Sequence, residues 1–192
     1  MIENLVQLEA TANLSDRMVS VQDFLEFLES TGQKAEIGPK MQLFEQLEEC
    51  PALPVTNVTW FEAAAYCRWY NEQLREKIPS LRQAVRLPHE WELALAEHQA
   101  RSLVPDSYWD AWPMKSKEEA LRVLNASHRH TYGMADILGA VYSWTSDTAA
   151  GGSRVSRGGS WYNAPSSLRA SNRFGYAPSL RSVNLGFRLA FN

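Results

Sequence analysis

Eight of the ten glycines in this 192-residue chain fall after position 130, at 133, 139, 151, 152, 158, 159, 175 and 186. Short aromatic and β-branched pieces lie between them: Ala140–Thr145, Val155–Trp161, Leu168–Phe174 and Gly186–Phe191. Such punctuation cannot sustain helices and predicts short strands joined by long loops. The first half reads differently, with apolar residues at helical spacing behind capping signals. Helices first and strands later predict an α+β domain. The length predicts one domain, residues 1–192, and neither an internal repeat nor a linker is visible.

The helix signals are specific. Ser20-Val-Gln-Asp23 reads as a capping box with Asp in place of the usual Glu; Phe24, Leu25 and Leu28 follow, and Gly32 is the expected stop. Residues 40–49 are acidic with Met41, Phe44 and Leu47 on one stripe, predicting a short surface helix closed by Pro51-Ala-Leu-Pro54. Thr59-Trp-Phe-Glu62 is a second capping box, opening a helix through about Leu74 after an extended entry at Val55 and Val58. Arg86-Leu-Pro88 leads into a third, short helix over His89–Ala96. Ser116-Lys-Glu-Glu119 is a further cap before Leu121–Leu124.

No stretch approaches the roughly 18 apolar residues of a membrane span. The start, Met-Ile-Glu-Asn, lacks the basic and apolar regions of a secretory signal, so a cytoplasmic location is expected. Cys50 and Cys67 are too few for a disulfide scaffold or a four-ligand zinc site. Charge is split: residues 148–192 hold six arginines and no Asp, Glu or Lys, while the first 147 residues carry 13 basic and 22 acidic groups. Taken alone, a basic tail points to nucleic acid.

Five ordered phrases carry a resemblance. Pro54-Val-Thr-Asn-Val-Thr-Trp-Phe-Glu-Ala-Ala-Ala-Tyr-Cys67, Arg86-Leu-Pro-His-Glu-Trp-Glu92, Tyr132-Gly-Met-Ala-Asp-Ile-Leu-Gly-Ala-Val-Tyr-Ser-Trp144, Arg157-Gly-Gly-Ser-Trp161 and Asn184-Leu-Gly-Phe-Arg188 resemble the formylglycine-generating-enzyme/sulfatase-modifying-factor family over roughly residues 15–191. The resemblance implies a compact C-type-lectin-like fold. The oxidase members carry two cysteines after the Gly-Gly-Ser phrase, whereas Ser160–Arg173 contains none. Without a thiolate there is neither nucleophile nor soft copper ligand, and formylglycine synthesis is not expected. The family's calcium phrase is replaced by Gly139-Ala-Val-Tyr-Ser143, which lacks the amide and carboxylate oxygens, so only Asn125 and Asp136 keep a claim on calcium. The sulfoxide-synthase branch pairs this fold with a helical iron-binding domain, for which four histidines and this length do not suffice.

The remaining candidates for chemistry have simpler explanations. His128-Arg-His130 lacks further ligands and reads as a loop; His89 reads as a surface or capping group. Gly151–Ser160 lacks the Gly-Lys-Ser/Thr ending of a phosphate loop, and no Gly-x-Ser-x-Gly elbow exists. Glu90 and Glu92 are two apart near a helix start and face different ways. The tryptophans at 60, 69, 91, 144 and 161 read as core and rim aromatics. No catalytic set, no metal site and no cofactor is expected.

Residues 157–191 read as a frame with gaps. The frame is Arg157-Gly-Gly-Ser-Trp161, Pro165, Leu168–Arg173, Pro178, Arg181 and Asn184–Ala190. The gaps are Tyr162, Asn163, Ala164, Ser166, Ser167, Phe174, Gly175, Tyr176, Ala177, Ser179, Leu180, Ser182 and Val183, and they follow neither a helical nor an alternating pattern. If each gap began as an Asn codon, AAC, and only adenines were replaced, Lys, Glu, Gln, Met and Trp would be excluded. None of the thirteen gaps holds one, although these types fill 41 of 192 positions; composition alone predicts that about one time in twenty.

The frame resembles the variable region of diversity-generating-retroelement target proteins, in which a reverse transcriptase rewrites adenine-specified positions. That resemblance implies a non-catalytic binding protein whose gap side chains form an exchangeable surface for a protein or other macromolecular ligand, with a carrier or display partner allowed. Rigid aromatics among Ser, Gly and Asn suit such a surface. The alternative is an enzyme or enzyme subunit of the same fold family acting through ligands from a partner. Nucleic acid is disfavoured, because the arginines fall on frame positions. Arg157, Arg169, Arg173, Arg181 and Arg188 are instead expected to be largely internal, bonded to loop carbonyls or to acidic groups of the first 147 residues.

Overall fold

Two capping boxes start the helices that organise the first half. In a computed structural model, which describes residues 5–7, 13–42, 51–103, 137–164, 166, 168, 169 and 171–192, the Ser20 hydroxyl accepts the Asp23 N–H while the Asp23 carboxylate accepts the Ser20 N–H. This opens α1, Val21–Ser30, and Gly32 at φ +69° follows its end. Thr59 and Glu62 make the same reciprocal pair at the start of α3, Trp60–Lys77. Between them lies α2, Lys34–Lys40, a helix the sequence pattern did not announce. The fourth helix, α4, covers Glu90–Leu103 and so runs past the expected Ala96.

Among the described residues the strands form two sheets of four. Strands β1 (Leu5–Gln7), β2 (Asn13–Met18), β3 (Val85–Arg86) and β8 (Arg188–Phe191) make one, in the order β1-β2-β8-β3. Strands β4 (Tyr142–Thr148), β5 (Arg154–Arg157), β6 (Phe174–Tyr176) and β7 (Leu185–Gly186) make the other, in the order β6-β5-β4-β7. Two strands thus precede the helices, and β2 pairs antiparallel with β8, Leu14 opposite Ala190. The early strand shows no alternation, because Leu14, Ser15 and Asp16 are all buried. Among the described residues of the expected strand Leu168–Phe174, only the last is extended and paired, as the start of β6.

One residue, Phe187, separates β7 from β8, so the chain crosses directly from one sheet to the other. The Phe187 ring is fully buried against Phe24 of α1 and Tyr66 of α3, at 6.0 and 5.4 Å between ring centres. Gly186 is required at this crossing: a Cβ there would collide with the Val55 carbonyl oxygen. The expected features at residues 43–50, Ser116–Glu119, Leu121–Leu124, Asn125, His128, His130 and Asp136, and the gap residue Ser167, lie outside the described residues.

Candidate ligand-binding surface

The surface is built on β5. A hairpin from β4 sets Trp144 opposite Ser156, and β6 adds to the other edge with Phe174 opposite Ser156 and Tyr176 opposite Arg154. The Gly158-Gly159 turn has positive φ at both residues, +97° and +68°, which glycine alone adopts freely. A Cβ on Gly159 would also collide with the buried Leu168 side chain, so this frame pair packs one loop under the other. Asn163 closes the turn, its Oδ1 accepting the Ser160 N–H at 2.8 Å and the Ser160 hydroxyl at 2.9 Å. Asn184 then donates to the Ser160 Oγ at 3.1 Å.

Of the twelve described gap residues none is buried. Tyr162 (71 %), Phe174 (38 %) and Val183 (51 %) are exposed large hydrophobics; Ala164, Ser166, Gly175, Ala177 and Ser179 are exposed as well. Asn163, Tyr176, Leu180 and Ser182 are half-buried. Tyr176 and Leu180 pack against the main hydrophobic core, so packing accounts for part of these two gaps, which the lack of a sequence pattern did not anticipate.

A residue outside the gaps completes the aromatic cluster. The buried Tyr142 meets Phe174 at 5.3 Å and Tyr176 at 6.2 Å between ring centres, both edge-on, while Phe174 and Tyr176 stack at 6.3 Å. Its hydroxyl bonds Asn163, and burial pushes the phenol up to about 12. The sequence placed Tyr142 in the expected strand Ala140–Thr145 and at a lost calcium-phrase position, not in the surface; an aromatic on that strand beside the frame was the available signal.

The arginines divide. Arg157 is buried, its Nε and Nη2 donating to the two oxygens of the buried Glu97 at 3.2 and 2.8 Å and its Nη1 to Glu90 at 3.3 Å. Burial pushes the Glu97 carboxyl up to about 7 against the pull of Arg157. Arg188 is buried and donates to the Ser15 carbonyl at 2.9 Å. Arg181 is half-buried on Glu62 and on the Asn57 carbonyl. Arg169 and Arg173 depart from the expectation of internal placement: both are exposed, Arg173 while paired with Glu90. Arg169 lies in a loop outside the named strands, and Arg173 directly precedes β6, whose own Phe174 and Gly175 are exposed.

The alternative chemistries find little support in this geometry. Cys67 is 5 % exposed on the core face of α3, and burial pushes its thiol up to about 12, where no thiolate nucleophile forms at neutral pH. At the positions matching the family's calcium phrase, the Gly139 N–H donates to the Gly158 carbonyl, the Ala140 carbonyl accepts the Trp161 N–H and the Ser143 hydroxyl accepts the Arg188 N–H. Among the described residues no three or more His, Cys, Asp or Glu side chains group as metal ligands. Glu92 is buried and bidentate on Arg86, whereas Glu90 serves Arg157 and Arg173, so the two carboxylates have separate tasks. His89 Nδ1 lies 3.0 Å from the Ser146 Oγ at the start of α4. Trp144 is fully buried, while Trp91 stands half out of the surface at 50 %.

Residues 6–192 match the model of the sulfatase-modifying factor enzyme 1-like domain. The chain belongs to that family. It is 31 % identical over 176 residues to the mouse (Mus musculus) protein named inactive C-alpha-formylglycine-generating enzyme 2, covering 80 % of this chain and 52 % of the mouse protein. It is also 31 % identical over 188 residues to the hercynine oxygenase of Mycolicibacterium smegmatis, covering 78 % of this chain and 40 % of the oxygenase. The chain thus spans about half or less of the length of these two relatives. Among solved structures, Treponema denticola variable protein 1 superposes with a TM-score of 0.58 at 18 % identity, covering 99 % of this chain and 91 % of that one. PvdO from Pseudomonas aeruginosa gives 0.60 at 19 %, covering 94 % and 80 %. The fold of this sulfatase-modifying factor domain is therefore the α+β, C-type-lectin-like one its phrases implied. No helix among its described residues is long and apolar enough to cross a membrane.

Proposed function

We propose that this domain is a non-catalytic binding protein, a diversity-generating-retroelement target, that displays residues 162–184 as an exchangeable surface for a protein or other macromolecular ligand. Residues 1–192 form its single domain, with 157–191 as the variable region. One observation carries the reading. Frame residues such as Arg157, Ser160, Leu168 and Leu185–Ala190 are buried, whereas none of the described gap residues is. Exchange at the gaps changes what the surface offers and leaves most of the core untouched. The relative named inactive supports a non-catalytic role. The ligand contacts are Tyr162, Asn163, Ala164, Ser166, Ser167, Phe174, Gly175, Tyr176, Ala177, Ser179, Leu180, Ser182 and Val183, and the site of action is the cytoplasm or the surface of a carrier.

The gene neighbourhood tests this. A near-identical upstream repeat with Asn codons at the gaps, beside a reverse-transcriptase gene, is the expected finding. Natural copies that vary evenly along the chain would overturn it.

The second reading, an enzyme subunit completed by a partner, draws on the likeness to hercynine oxygenase. A stoichiometric redox metal in the purified protein, together with activity in an oxidation assay, would establish it over the first.

A further inference from the structure

We infer that Glu62 and Glu90 are positioning residues that clamp the two ends of segment 174–180, so that its backbone keeps one shape while its side chains differ. The inference rests on the reading of that segment as an exchangeable surface. Arg173 immediately precedes the segment, and its Nε and Nη2 reach the two carboxylate oxygens of Glu90 at 2.7 and 2.8 Å. Arg181 immediately follows it: Nη1 reaches one oxygen of Glu62 at 2.8 Å, Nη2 reaches the other, and Nη1 also donates to the Asn57 carbonyl at 2.7 Å. A two-point guanidinium–carboxylate pair fixes direction as well as distance, which a single ammonium contact does not.

Both carboxylates stand in the first turn of a helix, Glu62 in α3 and Glu90 in α4, where the helix dipole favours negative charge. Both are also tied independently of the segment. Glu62 accepts the Thr59 N–H at 2.9 Å, and Glu90 takes Arg157 as well as Arg173. They lie outside residues 157–191, so rewriting of the gaps leaves them in place.

Between the clamps, main-chain groups hold the segment. Residues 174–176 pair with β5, the Trp60 N–H donates to the Pro178 carbonyl at 2.9 Å, and the Leu180 N–H to the Ala177 carbonyl at 2.9 Å. Main-chain hydrogen bonds are indifferent to the side chain that the residue carries. The arrangement separates holding the loop from what the loop displays.

Hydrogen–deuterium exchange on the full chain, followed at amides 174–182, tests the clamps without any ligand. Glu62→Gln keeps the capping box, which Gln also supports, and loses the ion pair; Glu90→Gln loses the other. In the double variant, exchange at 174–182 is expected to rise at least about tenfold while β8 amides keep native protection, since opening is local. A gap variant, Phe174→Ser with Ala177→Ser and Ser179→Tyr, is expected to stay within about twofold of native at the same amides. Native protection in the double variant overturns the inference, as does a gap variant that opens the segment equally. If the double variant loses β8 protection as well, Glu62→Gln alone decides, read at amides 180–182 by the same criterion. Failure here leaves the display reading intact, and a missing template repeat would remove that reading while leaving the exchange result standing.

Discussion

Arg173 and Glu90 stand 83 positions apart in the chain and meet through two hydrogen-bonded contacts of 2.7 and 2.8 Å. The contact ties the loop before β6 to the first residue of α4. The same Glu90 carboxylate takes Arg157 from β5. One acidic side chain in the helical half thereby holds both the start of the frame and the edge of the exposed aromatic strand. This is where the charge split of the sequence resolves: much of the arginine of the tail is matched by carboxylates of α3 and α4.

Removing the buried member of that network is expected to be severe. Arg157→Ala leaves Glu97 buried without its partner and costs about 3–5 kcal/mol. The size-matched apolar pair Arg157→Met with Glu97→Leu costs less than the single change, because no charge is left stranded. Urea denaturation of both variants measures the difference.

Stability has two pH dependences of opposite sign. Burial works to raise the Asp23 carboxyl, but hydrogen bonds from Arg17 and Ser20 and the Arg17 charge outweigh it, holding it below its ordinary 3.8. Its contribution is present above that value and is lost as pH falls through the depressed native one. Glu97 is raised from 4.5 to about 7, so the native state binds the extra proton. Its contribution is full below 4.5 and declines as pH rises towards about 7. Asp23→Asn should flatten the acid limb and Glu97→Gln the slope between the two Glu97 values, both read from urea midpoints against pH.

Gly186→Ala places a methyl group against the Val55 carbonyl oxygen, which is backbone and cannot turn away. The expected loss is about 1–3 kcal/mol, the range of an overpacked core, seen as a lower urea midpoint at unchanged slope.

The gap positions should separate by exposure. Tyr162→Ser and Ser179→Asn are expected to shift stability by no more than about 0.5 kcal/mol. Leu180→Ser, which strips contact from the core, costs about 1–2 kcal/mol. Thermal or urea unfolding of the three variants decides whether display and packing divide along this line.

Cys67 should resist alkylation in the folded protein at pH 8, because its thiol is buried and raised to about 12. Peptide mapping after iodoacetamide is expected to find Cys67 modified only after denaturation. Rapid labelling of the native chain would reopen the case for thiol chemistry.

Local signals carried much of the fold. Ser20 with Asp23 and Thr59 with Glu62 announced two helix starts because a capping box is closed within four residues. The glycine-punctuated second half announced β4, β5, β7 and β8, and of β6 Phe174 alone. What stayed hidden was the pair β1 and β2 ahead of the helices, the short strand β3 and the helix Lys34–Lys40. Strand β2 buries three consecutive residues, so its period of two is erased.

The candidate surface divides in the same way. The division of residues 157–191 into frame and gaps, the missing cysteines and the uneven charge were legible in the sequence alone, since each is a matter of which residue types stand at which positions. Tertiary structure decided the rest: that Tyr142 underlies Phe174 and Tyr176, that Tyr176 and Leu180 lean on the core, and that Glu62 and Glu90 receive Arg181 and Arg173. A carboxylate's partner is not written in its neighbours along the chain. It is settled only when β6 packs beside β5 and brings the loop ends to the first turns of two helices, where the helix dipole favours each carboxylate and a two-point guanidinium contact can form.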